Sequence, residues 1–105
     1  MISDEIRQRI QRVKEQRLTE LNLRGNSLTE IPTEVFELEW LEKLYLTDNQ
    51  LTSVPEALTR LTNLSKLNLS SNQLTSVPEA LARLTNLSVL NLCLNQLTSV
   101  PEAIT

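Results

Sequence analysis

Residues 49–71 read NQLTSVPEALTRLTNLSKLNLSS, and residues 72–94 read NQLTSVPEALARLTNLSVLNLCL. The two stretches differ at four of 23 positions: Thr59/Ala82, Lys66/Val89, Ser70/Cys93 and Ser71/Leu94. Self-similarity at a fixed period is the mark of a stacked repeat array. Moving outward, asparagine recurs at Asn26, Asn49, Asn72 and Asn95, and proline at Pro32, Pro55, Pro78 and Pro101. Both series step by 23 residues, and they use all four prolines of the chain. The shared skeleton is LxxLxLxxNxLTxVPxxLxxLxxL.

Each part of the skeleton has a physical job. The xLxLx segment alternates with period two, which predicts a short strand with one apolar face. In the second unit Leu44 and Leu46 point inward, whereas Lys43, Tyr45 and Thr47 point outward. Leu51, Val54, Leu58 and Leu61 turn the chain and fill the same interior. The asparagine is a short amide suited to tight turns and local backbone bonds. Stacked at one place in every coil, the four asparagines form a ladder that satisfies buried backbone groups. Proline has no donor and a fixed φ, which predicts the first position of a short helix. Glu56, Glu79 and Glu102 follow, where a helix start favours negative charge.

This pattern resembles the leucine-rich repeat family over residues 18–105. The resemblance implies an α/β fold: a right-handed solenoid with a short parallel sheet on its concave side and helical segments on the convex side. The LTxVPxxLxxLxxL form is similar to bacterial repeats, including those that precede GTPase domains in cyanobacterial Roco proteins.

The ends need separate treatment, because a repeat cannot bury its apolar face alone. Ile2, Ile6, Ile10 and Val13 fall on one helical stripe, with Ser3 as N-cap and Asp4 and Glu5 in the first turn. Residues 1–17 are therefore expected to form an amphipathic helix capping repeats at 18–105, about four units with the last incomplete. A rival use, docking on a membrane or partner helix, is disfavoured by the lack of Trp or Phe on the apolar face. At the other end Leu92, Leu97, Val100 and Ile104 are expected to have a bare side. That would mark a fragment of a longer array or invite self-association through the uncapped repeat.

Composition excludes several functions. The 105 residues include 22 leucines, one glycine, one cysteine and no histidine. Without histidine the commonest metal ligand and general base are missing. One cysteine makes neither an intrachain disulfide nor a zinc cluster, and one glycine makes no phosphate loop. No catalytic, cofactor or metal site is expected, and the chain reads as a non-enzyme. The net charge of −3 and the lack of a basic stripe with interleaved aromatics argue against a nucleic-acid partner. There is no secretory signal and no apolar run of the roughly 18 residues that span a bilayer. No membrane partner is expected, and the lone cysteine fits a reducing, cytoplasmic setting.

The expected binding surface is the concave face, read as columns. Glu20, Lys43, Lys66 and Val89 form one; Asn22, Tyr45, Asn68 and Asn91 a second; Arg24, Thr47, Ser70 and Cys93 a third. Gly25, Asp48, Ser71 and Leu94 form a fourth, and Ser27, Gln50, Gln73 and Gln96 a fifth, at the turn. Three of the four differences between the duplicated units lie in the strand region. Chance explains that as well as divergence against a partner does. The candidate partner-binding residues are Lys43, Tyr45, Lys66, Asn68, Val89, Asn91, Cys93 and Leu94. Tyr45 fits either a hot spot or a ring packed over Asn22 or Asn68. Trp40 is expected to pack on the convex edge with Phe36. Cys93 reads as a small exposed filler. The glutamates at 30, 34, 37, 39 and 42 read as a solvated convex face. The expected function is a protein-interaction module for a protein or peptide partner. The alternative is a sensor or regulatory region of a larger enzyme such as a Roco-type GTPase.

Overall fold

A computed structural model of the chain describes residues 3–98. Helix α1 spans Asp4–Gln16 and is followed by four three-residue strands: β1 Glu20–Asn22, β2 Lys43–Tyr45, β3 Lys66–Asn68 and β4 Val89–Asn91. They form one parallel sheet in chain order, and every pairing joins residues 23 apart, such as Leu21 with Leu44 and Leu44 with Leu67. The sequence period is thus the register of the sheet. The opposite side of each coil is a 3₁₀ segment, at Thr33–Glu37, Glu56–Arg60 and Glu79–Arg83. These segments have five residues, too few to repay an α-helical nucleus. Pro32, Pro55 and Pro78 stand one place earlier than expected, as extended residues capping the segment rather than opening it. Their carbonyls accept from Val35, Leu58 and Leu81 at 3.0–3.2 Å, so proline starts each turn as an acceptor.

The core is one continuous aliphatic column. Leu21, Leu44 and Leu67 on the strands, Leu23, Leu46 and Leu69 just after them, and Leu38, Leu61 and Leu84 from the convex side are all buried. Full burial of each such side chain stabilises by about 1.5–3 kcal/mol. Leu87, Leu90, Leu92 and Leu97 are only partly covered. Val100 and Ile104 lie outside the described residues. Leu18 breaks the expected pattern: it opens the first unit but is 37% exposed.

Inside the column the asparagine ladder is realised. Asn72 Nδ2 donates to the carbonyls of Leu46, Leu69 and Ser70 at 3.0–3.1 Å, and its Oδ1 accepts from Leu51 N–H at 3.0 Å. Asn49 repeats this one coil earlier, bonding the Leu23, Leu46 and Thr47 carbonyls and the Asn26 and Leu28 N–H groups. Each amide therefore ties its own coil to the one before it. No buried side-chain polar atom among the described residues lacks a partner.

Helix α1 covers the open end of the first coil with Ile6, Ile10 and Val13, all buried. Ser3 Oγ accepts from Ile6 N–H at 3.3 Å, and Arg17 ends the helix in the left-handed region at φ 51°. Arg9 does further work. The carbonyls of Tyr45, Asn68 and Asn91 accept from the N–H of the preceding coil at Leu23, Leu46 and Leu69. The equivalent carbonyl of Asn22 has no preceding coil, and Arg9 Nη1 supplies the donor at 3.0 Å. The helix thus closes β1 with both apolar surface and a hydrogen bond.

Candidate functional site

Period-two alternation puts the odd positions of each strand on the concave face. Lys43 and Lys66 are in register on β2 and β3, and Val89 follows on β4. Asn22, Tyr45, Asn68 and Asn91 form the next row. The structure brings six of the eight candidate residues onto one sheet surface: Lys43, Tyr45, Lys66, Asn68, Val89 and Asn91. Lys66 is exposed, Lys43, Tyr45, Asn68 and Asn91 are half-buried, and Val89 is 46% exposed. Cys93 is exposed just beyond β4, and Leu94 is 78% exposed at the following turn. Ser70 faces the concave row, as expected, but is not exposed. It is buried, and its hydroxyl donates to Asn68 Oδ1 at 2.7 Å. Cys93, its counterpart, contributes only its backbone N–H to Asn91 Oδ1, at 3.0 Å.

The column of Leu94 has a backbone constraint that sequence reading missed. Gly25, Asp48, Ser71 and Leu94 all adopt positive φ, between 54° and 67°. Such a conformation is strained for a bulky residue. A Cβ built at Gly25 meets nothing, so the strain is in the backbone and not in crowding. Leu94 is therefore an exposed apolar residue in a conformation that disfavours it. Asp48 is held by Arg24 Nε at 3.3 Å.

Trp40 and Tyr45 divide between the two sides. Trp40 packs against the core, with Arg17 stacked 4.0 Å from its ring centre and its Nε1 donating to the Leu18 carbonyl at 2.9 Å. Asn63 and Asn86, its equivalents in later coils, donate to the Glu39 and Thr62 carbonyls at 3.4 and 3.0 Å. The indole thus performs the inter-coil task of an asparagine amide. Tyr45 stands on the concave face between Asn22 and Asn68. Among the described residues no group of three metal-ligating side chains occurs, and no helix is long and apolar enough to cross a membrane.

The leucine-rich repeat family matches residues 16–74, and a second leucine-rich repeat family, of two-copy units, matches residues 62–104. The chain belongs to the leucine-rich repeat family. No curated protein matches it. Among solved structures it is similar to a leucine-rich repeat protein of Leptospira interrogans, with 26% identity and a TM-score of 0.73 over 99% of this chain and 32% of that one. It is also similar to an internalin of Listeria monocytogenes, with 26% identity and a TM-score of 0.76 over 91% of this chain and 31% of that one. The chain spans about a third of the length of these two structures. The matches carry the repeat family and not the narrower Roco likeness.

Proposed function

We propose that this chain is a protein-interaction module that takes a protein or peptide partner on its concave face, through Lys43, Tyr45, Lys66, Asn68, Val89, Asn91, Cys93 and Leu94. The observation that carries this reading is Leu94, exposed at positive φ where the aligned coils have glycine, aspartate and serine, and the divergence between the duplicated coils points the same way. Residues 49–71 and 72–94 share every interior leucine and valine and the inter-coil amides. Three of their four differences lie on the concave side, at Lys66/Val89 and, just beyond the strand, at Ser70/Cys93 and Ser71/Leu94; the fourth, Thr59/Ala82, lies in the 3₁₀ segment. Folding asks nothing of Leu94 that serine or glycine would not supply with less strain. A partner does: Val89 and Leu94 are exposed apolar side chains, and Tyr45, two coils earlier on the concave face, is of a type enriched at hot spots. The family and the internalin likeness favour the same class of function. The test is partner capture by the double variant Tyr45→Ala, Lys66→Ala. Capture is expected to weaken by about 2 kcal/mol or more while the circular dichroism melt stays unchanged. Unaltered capture would move the site to another surface.

A further inference from the structure

The concave face is chemically one-sided, which narrows the class of partner; the inference rests on that face being the binding surface. Asn22, Asn68 and Asn91 each accept with Oδ1 from the backbone N–H two residues on, at 3.0 Å in every case. An amide whose oxygen is held this way is left with its NH₂ group to offer. None of the three Nδ2 groups has an acceptor among the described residues. Lys43 and Lys66 stand beside this row, directly opposite each other, and neither forms an ion pair among the described residues. Like charges facing across a sheet are destabilising, and an anion seated between them would relieve this. The outward columns contain two carboxylates, Glu20 beside Lys43 and Asp48, which Arg24 already holds. The centre of the face therefore offers donors and cations to an acceptor-rich ligand.

Val89 sets the second requirement. It occupies the next register position after Lys66 and is 46% exposed. Strands lie about 4.8 Å apart, so the gap between the two lysines is about 7 Å from the Val89 position. In an extended peptide, residues two apart face the same way with a separation of about 7 Å. We propose that the concave face binds an extended segment of a protein partner in which an acidic residue stands two positions from an aliphatic one. The carboxylate sits between Lys43 and Lys66, the aliphatic side chain lies on Val89, and the asparagine NH₂ groups take peptide carbonyls. A polyphosphate would use the lysines, but it has nothing to place on Val89, and the net charge of −3 opposes it.

The test uses the full chain, isotope-labelled for NMR, titrated with short synthetic peptides. The probes carry Glu-Thr-Leu or Leu-Thr-Glu between serine and glycine flanks. Controls replace Glu by Gln, and a thymidine oligonucleotide serves as the polyanion. The expected result is saturable movement of the Asn68 and Asn91 side-chain amide signals and of the Lys66 and Val89 backbone signals. One acidic peptide should bind about tenfold more tightly than its Gln control. Lys43→Glu with Lys66→Glu should abolish that preference in a chain whose spectrum remains folded. Equal binding of acidic and Gln peptides at these signals would refute the acidic chemistry and leave the concave face standing. Movement confined to Arg60 and Arg83 on the convex side would overturn both readings. No movement with any peptide, or tighter binding of the oligonucleotide, would overturn this proposal.

Discussion

At the residue scale, small amides contribute to folding beside the large apolar groups. Asn72 makes four hydrogen bonds in a buried setting. Asn72→Ala leaves the Leu51 N–H without its acceptor, whereas the Leu46, Leu69 and Ser70 carbonyls keep Asn49 Nδ2, Asn95 Nδ2 and the Asp48 N–H as donors; an unsatisfied buried group costs about 1–3 kcal/mol. We expect a loss of about 1–3 kcal/mol, measured by urea unfolding. Leu94 gives the opposite sign. At φ 57° a glycine removes the left-handed penalty, so Leu94→Gly should raise stability by about 1 kcal/mol. A destabilised Leu94→Gly variant would show that the leucine has an interior role. The asparagine ladder is legible in the sequence because a short amide returns every 23 residues, at Asn26, Asn49, Asn72 and Asn95, at a fixed place among the recurring leucines. The orientation of the concave asparagines is not. It depends on a backbone N–H two residues on being free to bond Oδ1, which the course of the chain after the strand decides. The sole textual hint is an asparagine ending each strand but the second, where Tyr45 stands.

At the element scale, α1 and the first coil act as one unit. The apolar stripe and Ser3 cap follow from helical spacing and are visible in the sequence. The bond from Arg9 to the Asn22 carbonyl is not, because it requires knowing which strand edge the helix meets. Ile10→Ala should cost about 2–4 kcal/mol as a buried truncation. Arg9→Ala should cost about 1 kcal/mol and speed amide exchange in β1 more than in β3. Equal exchange in both strands would mean that the guanidinium does not protect the edge. The 3₁₀ segments are also hidden from sequence. Proline followed by glutamate suits an α-helical start, and only the short span between Pro55 and Leu61 forces the tighter turn.

At the scale of the whole molecule, the column of leucines makes stability a matter of neighbouring coils. Leu67→Ala, deep between coils, should cost about 2–5 kcal/mol, whereas Ser71→Ala should change stability by less than about 0.5 kcal/mol. Calorimetry on the two variants checks this, and similar losses would invert the assignment of faces. Ion pairs contribute little to this balance. Glu5–Arg9, Lys14–Glu37 and Arg24–Asp48 are all exposed, and such pairs are worth at most about 1 kcal/mol. The solenoid and its faces were readable because inward leucines alternate strictly with outward residues. Ser70 escaped that reading because alternation gives direction and not depth: Asn68 draws its hydroxyl down and its neighbours cover it.

The constant 23-residue register also bears on how such a chain changes over generations. Each coil meets its neighbours through the same leucines and the same amide, so the units are interchangeable parts. In-frame loss of residues 49–71 would join Asp48 to Asn72 and keep every contact type intact. The row Glu20, Lys43, Lys66, Val89 would shorten to Glu20, Lys43, Val89, with one cation where there were two. Unequal crossing-over between near-identical units can therefore rewrite the recognition surface in a single step without passing through an unfolded ancestor.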